Sequence, residues 1–102
     1  MRKQFNENER VCEKVVNLFT LVSNKIRFRI LCLLKEGDFC VNEIHQIIGL
    51  GKISNMSQQL RLLTMAGILE KRRDSKNIYY HLKDESVKKM IAFLEENYLT
   101  RS

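Results

Sequence analysis

Proline is absent from this chain of 102 residues, glycine occurs four times and cysteine three times. With no proline to break helices, the glycines carry that role: Gly37, Gly49, Gly51 and Gly67 each fall where a helical pattern should stop. Three cysteines with no C-x-x-C pair exclude a disulfide framework and fit free thiols in a reducing compartment. A run of about 18 apolar residues, enough to span a bilayer, is also missing, because Lys25, Arg27, Arg29 and Lys35 interrupt the apolar stretches. The opening MRKQFNENER turns polar where a secretion signal needs its apolar segment, so a cytoplasmic protein is expected. Low-complexity tracts, internal repeats and glycine-rich phosphate loops are lacking. His45 and His81 stand in separate segments, and no serine or cysteine has a recognisable base beside it in a motif. Catalysis is therefore not expected.

What is present is positive charge with a location. The 18 Lys and Arg outnumber the 12 Asp and Glu, and a pI near 9.4 favours an anionic partner. Residues 1–36 and 52–76 are each net positive, whereas 37–51 hold Asp38 and Glu43. A chain of this length builds one modest core, so residues 1–102 are read as a single domain.

Helical periodicity dominates. The pattern predicts a first helix over Asn6 to Val22, with Val11, Val15, Leu18 and Val22 on a stripe flanked by Cys12, Val16 and Phe19. Asn24 is placed to cap a second helix running to Lys35, apolar at Ile26, Ile30, Leu33 and Leu34 and basic along Lys25, Arg27 and Arg29. A short third helix, Val41 to Ile48, ends at Gly49. After Gly51-Lys52-Ile53 a fourth runs from Ser54 to Ala66. Helix, short turn, helix is the supersecondary unit that reads DNA. Asp84 begins a last helix whose Val87, Met90, Ile91, Leu94 and Tyr98 share a face. The first and last helices are more apolar than their own small domain needs, so a homodimer through those two helices is expected. It would set two reading helices about 34 Å apart along a duplex.

The fourth helix carries the functional signal. Ile53, Met56, Leu60 and Leu63 form its packing side; Ser54, Ser57, Gln58 and Arg61 form a free side without a carboxylate. Hydroxyls, amides and an arginine are the groups that bond base edges and phosphates, although a solvated helix face can carry the same residues. Next come two short β-prone runs, Ile68 to Lys71 and Ile78 to Leu82, joined by Arg72-Arg73-Asp74-Ser75-Lys76-Asn77 with turn chemistry. A hairpin with the cationic tip Arg72, Arg73 and Lys76 suits phosphate tracking beside a reading helix. The rival reading is a module for protein or RNA contacts without inducer sensing; it calls for apolar groups on the free side of the fourth helix.

In this order, from about Val11 to Tyr98, the chain resembles the ArsR/SmtB family of dimeric winged-helix transcriptional repressors. The residues that carry the likeness are Asn24-Lys25-Ile26-Arg27-Phe28-Arg29-Ile30-Leu31, Glu36-Gly37-Asp38-Phe39-Cys40-Val41-Asn42-Glu43-Ile44, Ser57-Gln58-Gln59-Leu60-Arg61-Leu62-Leu63, Ala66-Gly67-Ile68-Leu69, and Arg72-Arg73 leading to Tyr79-Tyr80. The resemblance implies a mainly α fold, five helices with a two-stranded wing. It implies that Ser54, Asn55, Ser57, Gln58 and Arg61 enter the major groove of double-stranded DNA, and that Arg72, Arg73 and Lys76 reach backbone or minor groove. Two departures stand out: the stretch from Gly49 to Ser57 is one residue longer than the pattern, and Ser75 replaces a common wing glycine.

The family's sensing sites are reduced here. Its last-helix metal spacing falls on Asp84, Ser86, Asn97 and Thr100, a poor donor set for zinc. Its C-V-C becomes Cys40-Val41-Asn42, leaving Cys40 with Cys12 and His45 as a thin soft-metal set. Cys32 is similar to the second-helix cysteine of the persulfide- and oxidant-responsive branch, the BigR, SqrR and HlyU types, but Leu99 stands near where that branch has its partner cysteine. Cys32, Cys40 and Cys12 are thus the candidate sensor thiols, with a buried packing role the alternative for Cys32. No metal or cofactor is assigned.

Overall fold

The computed structural model describes residues 8–99, the side chain of Leu99 excepted; Asn6 and Thr100 lie outside the described residues. Within that range the order is α1 (Glu9–Val22), α2 (Lys25–Glu36), β1 (Phe39–Cys40), α3 (Val41–Ile48), α4 (Ile53–Met65), β2 (Leu69–Asp74), β3 (Asn77–Leu82) and α5 (Glu85–Leu94), which runs on into a π-helical turn, Glu95–Leu99. This is the winged helix-turn-helix expected from the sequence, with one strand more than expected.

The caps explain the boundaries. Asn24 Oδ1 accepts from the backbone N–H of Ile26 (2.9 Å) and of Arg27 (3.0 Å), two donors that the first turn of α2 leaves without helical partners. Asp84 Oδ1 does the same for Val87 N–H at 3.0 Å and starts α5. α3 opens on a capping box: the Cys40 sulfur accepts from the N–H of Glu43, and the Glu43 carboxylate accepts from Cys40 N–H at 3.0 Å. That bond holds the Glu43 carboxyl below its ordinary pKa. Gly49 ends α3 in the left-handed region, φ 68°, where its N–H bonds His45 O at 2.9 Å.

The core is one cluster fed by every helix. Ile30, Leu31 and Leu34 of α2, Ile44 of α3, Met56, Leu60 and Leu63 of α4 and Val87 and Ile91 of α5 are buried, with Leu69 and Leu82 closing it from the sheet. Each such side chain contributes about 1.5–3 kcal/mol on leaving water. Two sequence expectations are corrected here. Ile53, read as part of the packing side of α4, is exposed: it is the first residue of the helix, three positions short of the buried Met56. The apolar stripe of α5 divides: Val87 and Ile91 belong to the protein's own core, Met90 packs at its edge, and Tyr98 is 71% exposed.

The sheet is antiparallel in the order β1-β3-β2. Phe39 and Cys40 pair with Tyr80 and Tyr79, a short strand the sequence pattern missed because two residues are too few to show alternation. The hairpin is also tighter than expected. Asp74 pairs directly with Asn77, so the turn is Ser75-Lys76, and Arg72 and Arg73 lie in β2 opposite Tyr79 and Ile78. The turn residues Asp74 and Asn77 suggested a longer loop, whereas the ladder continues through them. No helix among the described residues is long and apolar enough to cross a membrane.

Candidate nucleic-acid interface

α3 and α4 meet through Gly49-Leu50-Gly51-Lys52. Gly51 also takes a left-handed φ of 67°, and its carbonyl accepts from His45 Nε2 at 2.9 Å. His45 therefore fastens the turn between the two helices, a different use from the metal donor considered above. The anchored turn and the buried Met56, Leu60 and Leu63 fix the rotation of α4 about its axis.

That rotation turns Ser54, Ser57, Gln58 and Arg61 to solvent. Asn55 sits apart from them, half-buried on the flank, its Oδ1 accepting from Gln59 Nε2 at 3.0 Å. Gln59 Oε1 in turn accepts from Arg27 Nη1 at 2.7 Å, and Arg27 also donates to the carbonyls of Leu21 and Thr20 at the end of α1. Sequence reasoning put Arg27 on a basic flank and gave Gln59 no role. The i, i+4 spacing of Asn55 and Gln59 was the available signal; the contact with Arg27, 32 positions away, was not. The free side of α4 is also less uniformly polar than expected. Leu62 is 49% and Met65 75% exposed, so the polar groups occupy its N-terminal half and apolar ones its C-terminal end.

The wing divides its cations. Arg72 donates to Glu70 Oε1 at 3.0 and 3.1 Å, and its Nη1 lies 3.7 Å from Asp38 Oδ2, while His81 Nδ1 is 2.8 Å from Asp38 Oδ1. Arg72 thus ties the wing to the α2–β1 link, and its charge is largely answered within the fold. Arg73 and Lys76 are exposed, and no ion pair involving them is found among the described residues.

The three thiols differ in setting. Cys12 is exposed on α1, Cys40 is the half-buried cap of α3, and Cys32 is half-buried in α2. Burial, with the Glu95 carboxylate nearby, pushes the Cys32 thiol up to about 11. Among the described residues no group of three or more His, Cys, Asp or Glu side chains is placed to hold a metal ion. Asp84 is spent on its cap, and Asn97 Nδ2 donates to Phe93 O at 2.7 Å.

Residues 24–71, from the cap of α2 into the wing, match the sequence model described as bacterial regulatory protein, arsR family. A biofilm growth-associated repressor from Xylella fastidiosa is 36% identical, over 91% of this chain and 81% of its own length. The chain belongs to the arsR family. Among solved structures, reduced HlyU from Vibrio cholerae superposes with a TM-score of 0.83 at 32% identity, covering 90% of this chain and 96% of that one. The transcriptional repressor BigR from Xylella fastidiosa gives 0.80 at 33% identity, with 96% of each chain covered. Within the arsR family the chain thus stands with relatives of the BigR and HlyU types. It is a DNA-binding transcription regulator and not an enzyme.

Proposed function

We propose that this arsR-family regulator acts in the cytoplasm as a homodimeric repressor, reading specific double-stranded DNA with Ser54, Asn55, Ser57, Gln58 and Arg61 of α4. Arg73 and Lys76 of the wing hold the flanking phosphates; Arg72, already paired with Glu70 and Asp38, contributes less. The observation that carries this reading is the carboxylate-free, exposed N-terminal half of α4, in a chain whose wing exposes Arg73 and Lys76, neither in an ion pair among the described residues. Two copies joined through α1 and α5 would present two such helices to successive major grooves. The uncovered apolar side of α1, with Val11, Val15, Val16 and Phe19 exposed, supports that pairing. Cys32, the thiol to which the resemblance points for release, is half-buried and its thiol is pushed up by burial, so its reactive thiolate form is scarce at neutral pH.

Binding of a duplex enriched from a random pool, measured across a salt series, tests the interface. Arg61→Ala is expected to cost about 1–3 kcal/mol on the enriched sequence and little on unrelated DNA. Lys76→Ala should weaken binding to every sequence and reduce the salt slope by about one. Retention of DNA unaffected by both changes would place the interface elsewhere, with the exposed Leu62 and Met65 then pointing to a protein partner.

A further inference from the structure

The hydrogen bonds running from α1 through Arg27 and Gln59 to Asn55 have a direction. Arg27 is a donor with no acceptor atom. Its Nε and Nη2 donate to the carbonyls of Leu21 and Thr20 in the last turn of α1, the second of which also accepts from Ser23 Oγ, so Nη1 is held toward Gln59. Gln59 must therefore turn its oxygen to Arg27 (2.7 Å), and its amide nitrogen is left to donate to Asn55 Oδ1 (3.0 Å). The Asn55 oxygen is thereby drawn inward. Asn55 Nδ2 has no acceptor among the described residues and remains open to solvent. Gly51 packs close beside it, since a Cβ there would sit 3.4 Å from Nδ2.

We infer that Arg27 and Gln59 are positioning residues that fix Asn55 as a pure donor at the start of the reading helix, so that it contacts an acceptor on DNA, a phosphate oxygen or the acceptor edge of guanine or thymine. The inference rests on the DNA-reading role proposed above for α4. Bidentate pairing with adenine needs the oxygen and the nitrogen of one amide to face the base together, and this arrangement denies that to Asn55. The relay also joins the end of α1 to the reading helix.

Gln59→Glu separates this from ordinary packing. A glutamate keeps an acceptor for Arg27 but has no donor for Asn55, which then pairs by donating and turns its oxygen outward. On a duplex enriched by the wild-type protein, Asn55→Ala and Gln59→Glu should each weaken binding about tenfold, the effect of one charge-assisted hydrogen bond. The double variant should be no weaker than the weaker single. Losses that multiply to about a hundredfold mean that the two residues act independently, and overturn the inference. In the intact wild-type protein the Asn55 side-chain amide protons should shift in 15N-resolved NMR when duplex is added; an unmoved signal also overturns it. Loss in Asn55→Ala alike on enriched and unrelated duplex assigns the acceptor to phosphate, and loss confined to the enriched duplex assigns it to a base. Both uphold the donor role. A wild-type protein that binds while Asn55→Ala binds equally well refutes this inference alone, whereas a wild-type protein that enriches no duplex refutes the DNA-reading role beneath it.

Discussion

Ser75 holds the first central position of the two-residue wing turn at φ 59°, a left-handed conformation that costs an L side chain about 1 kcal/mol or more. Ser75→Gly should therefore raise stability by about 1 kcal/mol, read as a higher urea midpoint at unchanged slope. Cys32 gives a pH test. Its thiol ionises at about 11 when folded against an ordinary value of 9.0, so the unfolded chain loses this proton first as pH rises. The stability it contributes is whole below pH 9 and is lost as pH climbs toward 11. Cys32→Ala should flatten that part of the wild-type stability profile, the effect being reduced by solvent screening because the thiol is half-buried. At neutral pH the same shift lowers the thiolate population of Cys32 about a hundredfold. Mass spectrometry after brief iodoacetamide treatment should find Cys32 labelled far more slowly in the folded protein than in the urea-unfolded chain.

At the scale of the element, α3 shows how one residue type can be misread. Cys40 drew attention as a soft-metal ligand, but its backbone and sulfur are both used in the capping box with Glu43. Cys40→Ser should keep α3 capped and cost little, whereas Cys40→Ala should destabilise by about 0.5–2 kcal/mol, measured by thermal melting. A Cys40→Ser variant with full response to soft metals would exclude this thiol from sensing without loss of fold. The helices were legible because their caps are local: Asn24 and Asp84 act on residues two or three positions ahead, within one reading window. The face of α4 was legible for the same reason, through the 3.6-residue spacing of Met56, Leu60 and Leu63. The wing was misjudged at its tip, where Arg72 and Arg73 pair across the ladder because β3 supplies partners that no local pattern reveals.

For the whole molecule, shape and surface agree. The Cα radius of gyration is 15.5 Å, against roughly 13 Å for a compact chain of this length, and α1 is the element that lies largely outside the core. An apolar hollow of about 470 Å³ lies between α1, α2 and α5, lined by Phe19, Val22, Ser23, Phe28, Met90, Phe93 and Leu94. Phe19 is 58% and Phe93 59% exposed in the single chain. If this face joins two copies, Phe19→Asp should yield folded monomers by sedimentation, with native helix content, and DNA affinity should fall because each binding event then carries one reading helix. A dimer that survives the change would move the interface away from α1.

Sequence alone determined whatever is carried by neighbours along the chain: the order of helices, their caps, the packing stripe of α4 and the cationic composition of the wing. Each depends on residues within about four positions, where chain geometry is already known. Tertiary structure decided which polar groups remain free. Arg72 was drawn into the Asp38 and Glu70 pairs, His45 into the Gly51 carbonyl, and the Asn55 oxygen toward Gln59 and Arg27, while Cys32 was shut into a setting that keeps it protonated. Residue type sets what a group is able to bond; which bonds are already taken depends on partners distant in sequence, and packing alone brings those within reach.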